Sequence, residues 1–364
     1  MNRRDFLRST SLAFAGLTLP GAEPSFAQHQ PSDGWRTFEV TTRVEVLKPV
    51  GATNVWLPAA LIQNTAFQRT ISNQFSADGG KARMVEQHPE GLGIVVATFP
   101  SEVKPVLTLV SRVALKNYSV NLSTPGHVRP LPNAELEYFL RPTKQIPTDG
   151  IVKATATEIT KGAKTDVEKA RALYEWVVDN TFRDPKVRGC GRGDIRSMLE
   201  TRYLGGKCAD LNALYTGLAR AVGLPARDVY GIRVGRSEMG YKSLGASSEK
   251  VTKAQHCRAE VYLTRFGWLP VDPADVRKVV LEEAPGNRPL SDEMVTSARK
   301  RLFGSWEMNW MAYNFAQDVE LPGSRAAALP FLMYPQAQTA EGTLDSLDAE
   351  NFKYEITARE LSGF

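Results

Sequence analysis

Histidine and cysteine are scarce in this chain, four and three among 364 residues, and the cysteines stand at positions 190, 208 and 257. Three thiols make no disulfide framework for a chain of this size, and an odd number leaves at least one free. No Cys-x-x-Cys or His-x-x-x-His spacing and no acidic calcium loop occurs, so neither a metal nor another cofactor is expected. The apolar run Leu12 to Leu19 is too short to cross a bilayer, and no stable membrane span is expected. Basic residues exceed acidic ones only slightly, a formal net charge of +5, and form no cluster with interleaved aromatics. Nucleic acid is therefore excluded as the expected partner. Internal repeats and low-complexity runs are lacking too. What is present, 42% hydrophobic and 23% charged residues, is an ordinary soluble composition, and the length suffices for two domains with separate cores.

One stretch carries chemistry: Gly205-Gly206-Lys207-Cys208-Ala209-Asp210-Leu211-Asn212. Leu211, Leu214, Leu218 and Val222 follow at helical steps, and Gly223-Leu224-Pro225 stops the helix. Cys208 therefore falls at the first helical turn, where unpaired amides and the helix dipole favour a thiolate. Gly206 and its neighbour allow close backbone approach by a substrate and leave amides free to face an oxyanion. The alternative for Cys208 taken alone is a buried structural cysteine.

The N-terminus reads as a targeting segment. Arg3-Arg4 resembles a twin-arginine export signal, an apolar run follows, and Ser25-Phe26-Ala27 offers a cleavage site. Residues 1–27 would be removed, leaving a periplasmic or secreted protein. Alternating strand patterns over 37–47, 54–58, 93–99 and 106–115, with a turn at Asp78-Gly79-Gly80, predict a small β-sandwich-like domain over 33–124. His88 and His127 are isolated within and just after it. A Pro-rich connector spans 125–148, and a catalytic domain is expected over 149–320, with strands of 321–364 packing on its core. Thr165-Asp166-Val167-Glu168 reads as a capped helix start, and Asp194, after the glycine-rich loop of Cys190, as a second cap. Residues 235–253 read as a mobile loop, and Leu329 to Tyr334 as strand-like.

Beyond the Cys208 helix, residues 255–263 alternate cleanly: Cys257, Ala259, Val261 and Leu263 on one face, His256, Arg258, Glu260 and Tyr262 on the other. A turn at Arg265-Phe266-Gly267 returns the chain to Asp272, which can meet His256 across neighbouring strands and fix its tautomer; Asp275 competes for that role. Cys257 reads as a core residue, Cys190 as a loop residue near the surface and the cleft, and the two as unbridged.

Cys, His and Asp in this order, with Gly206-Lys207-Cys208, Gly223-Leu224-Pro225, His256 and Gly267-Trp268-Leu269-Pro270-Val271-Asp272-Pro273, resemble the transglutaminase-like superfamily over roughly 165–275. The resemblance implies an α+β fold, with a papain-like core in which a helix-borne Cys packs on an antiparallel sheet behind a β-sandwich. It also implies roles: Cys208 attacks a peptide or carboxamide carbonyl in the cell envelope to give a thioester, His256 moves the proton, and Asp272 orients it. Hydrolysis is favoured over amine transfer. Arg258 stands where relatives commonly carry an aromatic, and a cleft-facing arginine there would meet an anionic group of the substrate; the alternative is a salt bridge to Glu260. The second oxyanion donor is not identifiable from sequence. The competing reading is a non-catalytic envelope-binding protein that kept the fold.

Overall fold

The computed structural model describes residues 34–126, 128, 130–348 and 352–361. The expected export segment, 1–27, and His127 lie outside the described residues. The chain first lays down six strands, β1 (Trp35–Val46), β2 (Thr53–Pro58), β3 (Gln68–Ala77), β4 (Lys81–Gln87), β5 (Leu92–Phe99) and β6 (Val106–Lys116), then a short β7 (Tyr118–Ser119). Helices α1 (Asn133–Leu140), α2 (Gly150–Ile159) and α3 (Asp166–Asn180) follow, then β8 (Phe182–Arg183), α4 (Ile195–Thr201) and β9 (Gly205–Gly206). The functional elements come next: α5 (Cys208–Ala221), β10 (Ala226–Arg233), β11 (Gln255–Leu263), β12 (Gly267–Val271), α6 (Pro273–Glu282) and α7 (Glu293–Arg301). β13 (Ser305–Trp306), β14 (Trp310–Asn314), β15 (Gln336–Thr339), β16 (Gly342–Thr343) and β17 (Phe352–Leu361) end the chain.

Mixed α and β structure, with a sheet-rich region ahead of the core, is as expected. The strands form one sheet ordered β17-β1-β6-β3 and another ordered β16-β15-β2-β5-β4. Val44 and Leu107 of the first sheet and Val55, Leu57, Val95 and Phe99 of the second share one buried apolar cluster. The C-terminal strands complete these N-terminal sheets, and Ile356 and Ala358 of β17 share the buried cluster of Cys208 and Leu211. β17 runs antiparallel to β1 from Thr37↔Leu361 to Val46↔Phe352, and β15 pairs with β2. Backbone hydrogen bonding decides this, since each edge strand must find a partner for its N–H and C=O groups. The Pro-rich connector also carries α1, whose Phe139 is buried edge-on against Trp268. Leu329 to Tyr334 makes only an isolated bridge to Val319.

The core sheet is antiparallel, ordered β12-β11-β10-β14. Leu214 and Leu218 of α5 pack against Ala259, Val261 and Leu263 of β11, the apolar face that alternation predicts. Thr165 and Glu168 form the reciprocal cap of α3, and Asp194 accepts from the Ser197 N–H at 3.1 Å, both as expected. The loop 235–253 is anchored. The Glu283 carboxylate accepts from the N–H groups of Lys242 and Ser243, the Val251 N–H donates to Ile356, and Leu244 and Val251 are buried.

Gly231 lies opposite His256 in β10, where the pairing with β14 shifts register. A Cβ there would stand 2.2 Å from the Met311 carbonyl oxygen and 2.4 Å from the Trp310 ring. Backbone cannot yield cheaply, so Gly231→Ala should lower unfolding free energy by about 1–3 kcal/mol, read as an earlier urea midpoint.

Candidate active site

The site starts at a helix end. Cys208 is the first residue of α5 and is 3% exposed. Just ahead of it, Asp210 reaches back to the Lys207 N–H with Oδ2 at 2.9 Å, while Oδ1 accepts from Arg192 and Gly193 at 2.9 Å each. The Cys190 carbonyl accepts from the Ala209 N–H, also at 2.9 Å. One carboxylate and one carbonyl thus tie the glycine-rich loop to the first turn. Gly191 is required: its φ is +94°, and a Cβ would fall 1.9 Å from Asp210 Oδ2. No described residue accepts from the Cys208 backbone N–H, which is left available at the sulfur.

β11 supplies His256, and the turn from β12 into α6 supplies Asp272. His256 Nε2 lies 2.7 Å from Asp272 Oδ2, and Asp272 Oδ1 caps α6 by accepting from the Asp275 N–H at 3.0 Å. Asp272 outcompetes Asp275, which stands 3.4 Å from the same nitrogen and is bonded to Arg233 at 2.6 Å. The imidazole and the Cys208 thiol line the same cleft, and His256 favours the thiolate there. Asn212, one helical turn after Cys208, donates to the Cys257 carbonyl at 2.7 Å and to Asp272 Oδ1 at 3.3 Å. It fastens the nucleophile's helix to the strand pair behind it.

Electrostatics favour an ion pair. Thiol donors from Cys190, then Cys257, lower the Cys208 pKa most; burial opposes them and His256 reinforces them, leaving it well below the ordinary value. Cys190, whose thiol donates to the Gln255 carbonyl at 3.4 Å, is raised by its neighbour Cys208 and by burial, and Cys257 by burial and the same neighbour. Burial works against the charged His256, but Asp275 and Asp272 outweigh it and its pKa is raised. Asp275 is held well below the carboxylate range because Arg233 overcomes its burial. His256, Asp272 and Asp275 have ligand atoms within 4.8 Å of one another, close enough for a cation, but Arg233 and Arg258 already face these carboxylates.

Three expectations change. Arg258 does not face the cleft. It is 2% exposed, its Nε lies 3.7 Å from Asp272 Oδ2, and its guanidinium stands 4.7 Å from the Trp310 ring centre; burial lowers its pKa to about 10. Nor does it pair with Glu260, which takes Arg227 at 2.8 Å. The polar face of β11 is covered by tryptophans, so both faces of the strand are interior. Cys190 is buried rather than near the surface, and all three thiols are free.

A cleft of about 590 Å³ opens over Cys208 and His256, walled by the 245–254 loop, the Cys190 loop, Tyr334 and the start of β17. Gln255 also lines it, and its side-chain nitrogen is buried without a hydrogen-bond partner.

The sequence profile of the transglutaminase-like superfamily matches residues 153–273, the span that holds Cys208, His256 and Asp272. An uncharacterised protein of Haemophilus influenzae is 34% identical over 344 residues, covering 89% of this chain and 91% of that one. The chain belongs to the transglutaminase-like superfamily. Its fold is shared by a candidate cysteine protease from Cytophaga hutchinsonii, with a TM-score of 0.51 at 14% identity over 90% of this chain and 99% of that one. A weaker likeness is to the periplasmic domain of TgpA from Pseudomonas aeruginosa, with a TM-score of 0.35 at 16% identity, over 69% of this chain and 90% of that one. At family level this is a cysteine-dependent hydrolase or transferase fold. Among the described residues of this transglutaminase-like chain, no helix is long and apolar enough to cross a membrane.

Sequence reading missed Asn212, Gln255 and the thiol neighbours of Cys208. An asparagine on an otherwise apolar helix was the available signal for the first. Removing the Asp210 charge should show what holds the first turn. Asp210→Asn sets an amide among three backbone donors, and an unfolding free energy lower by about 2–3 kcal/mol in urea is expected.

Proposed function

We propose that this protein is a cysteine-dependent acyl-transfer enzyme of the cell envelope, exported by residues 1–27 and acting on a peptide or carboxamide. The observation that carries the reading is the 2.7 Å His256–Asp272 contact inside a cleft that also holds Cys208 at a helix start. In this reading the Cys208 thiolate attacks the carbonyl carbon, forming the S–C bond. The His256 proton passes to the departing nitrogen as the C–N bond breaks. Water then attacks the thioester, giving a proton to His256 and returning the thiolate. Asp272 stays ionised and holds the imidazole in place. The free Cys208 N–H is one oxyanion donor, and the unpartnered Gln255 amide is the second. Water is favoured over an amine as acceptor, because eight Lys or Arg and no Asp or Glu line the cleft, and a protonated amine is repelled there.

The pH dependence follows from the directions above. Cys208 ionises below an ordinary thiol, about 8.5, and His256 stays protonated above an ordinary imidazole, about 6.5. Iodoacetamide alkylation of Cys208 should therefore reach half its plateau well below pH 8.5, and His256→Ala should move that point upward. An ordinary thiol profile in both proteins refutes the nucleophile. Gln255→Ala should leave this profile in place yet slow acetylation of Cys208 by 4-nitrophenyl acetate about 10²-fold, measured as the burst rate.

A further inference from the structure

The whole chain is nearly balanced, with 45 basic and 40 acidic residues, but the cleft is not: eight of its lining residues are Lys or Arg and none is acidic. Composition alone does not make so one-sided a wall. Five of the eight have carboxylate partners that do not themselves line the cleft: Asp275 for Arg233, Glu282 for Arg183 and Lys278, Asp345 for Arg188 and Glu355 for Lys250. The other three, Lys207, Lys253 and Lys353, have no carboxylate within 4.0 Å among the described residues. Of these, Lys207 and Lys253 lie nearest the site residues in sequence, Lys207 immediately before Cys208 and Lys253 three residues before His256. Lys207 emerges where Asp210 fixes its backbone, and Lys253 belongs to the loop anchored through Val251 to Ile356. Both ammonium groups are thus carried by held backbone in the lining of the cleft that holds the reacting sulfur.

We infer that the cleft takes an acidic peptide, with carboxylates within a residue or two of the reacting carbonyl, one met by Lys207 and one by Lys253. This deepens the acyl-transfer reading and rests on it for the position of the reacting carbonyl. The role sought in sequence for Arg258 falls instead to these two lysines. A cationic wall also favours the thiolate, so the experiment must separate substrate attraction from nucleophile activation. Two alkylating agents do so, because both meet the same thiolate and differ only in charge.

In the full mature protein, the rate of Cys208 alkylation by iodoacetate is divided by that by iodoacetamide, and the quotient is compared with that of N-acetylcysteine. The quotient should exceed the free thiol's several-fold at low salt and fall toward it in 1 M NaCl. It should drop about threefold in Lys207→Gln and again in Lys253→Gln, the size of one screened charge. In Cys208→Ala, where no chemistry intervenes, calorimetry should find acetyl-Glu-Gln-Glu-amide bound at least tenfold tighter than acetyl-Lys-Gln-Lys-amide. Slow alkylation by both agents with retained peptide preference refutes the nucleophile and leaves the acidic specificity standing. Fast iodoacetamide alkylation with a free-thiol quotient, equal binding of the two peptides, or displacement of the acidic peptide by equimolar inorganic phosphate overturns the inference.

Discussion

The Asp210 carboxylate is the contact on which the site depends. It is buried, its pKa is raised by that burial, and its partners are backbone N–H groups rather than a cation. Three donors from two segments converge on it, so it sets where the Cys190 loop meets the start of α5. The position of the Cys208 sulfur, the free amide beneath it and the thiol of Cys190 beside it all follow from that junction. Glycine at 191 is the geometric complement, since any larger residue would occupy the space of the carboxylate.

Behind the imidazole lies a second requirement, charge balance without water. Asp272 and Asp275 are fully buried, and so are Arg233 and Arg258. A buried carboxylate left alone is costly, and each here has both a cation and a backbone or side-chain donor. Arg258 thus works from the rear, neutralising Asp272 while stacked near two tryptophans. His256 can then hold a proton at the wall of the cleft.

The juxtaposition of Cys208, His256 and Asp272 was legible because its signals are local. A helix start, an alternating strand and a hairpin of the right span need no knowledge of distant segments. Alternation also separated the faces of β11 correctly, but it says only which side chains share a face. What covers that face comes from Trp268 on the neighbouring strand and from Phe139 and Trp306, far away in sequence, so Arg258 and Glu260 read as accessible when they are interior. The same limit hid the pairing of β17 with β1, more than 300 residues apart, and the burial of Cys190 under Tyr334. The loop 235–253 misled through its polar composition, because its order comes from Glu283 and β17, not from its own sequence.

The place of β17 ties the cleft to the first sheet. Phe352, Lys353 and Tyr354 wall the cleft, and the strand they begin completes the first sheet. The cleft and the first sheet therefore share one strand: whatever lifts β17 from β1 also removes Phe352, Lys353 and Tyr354 from the wall beside Cys208.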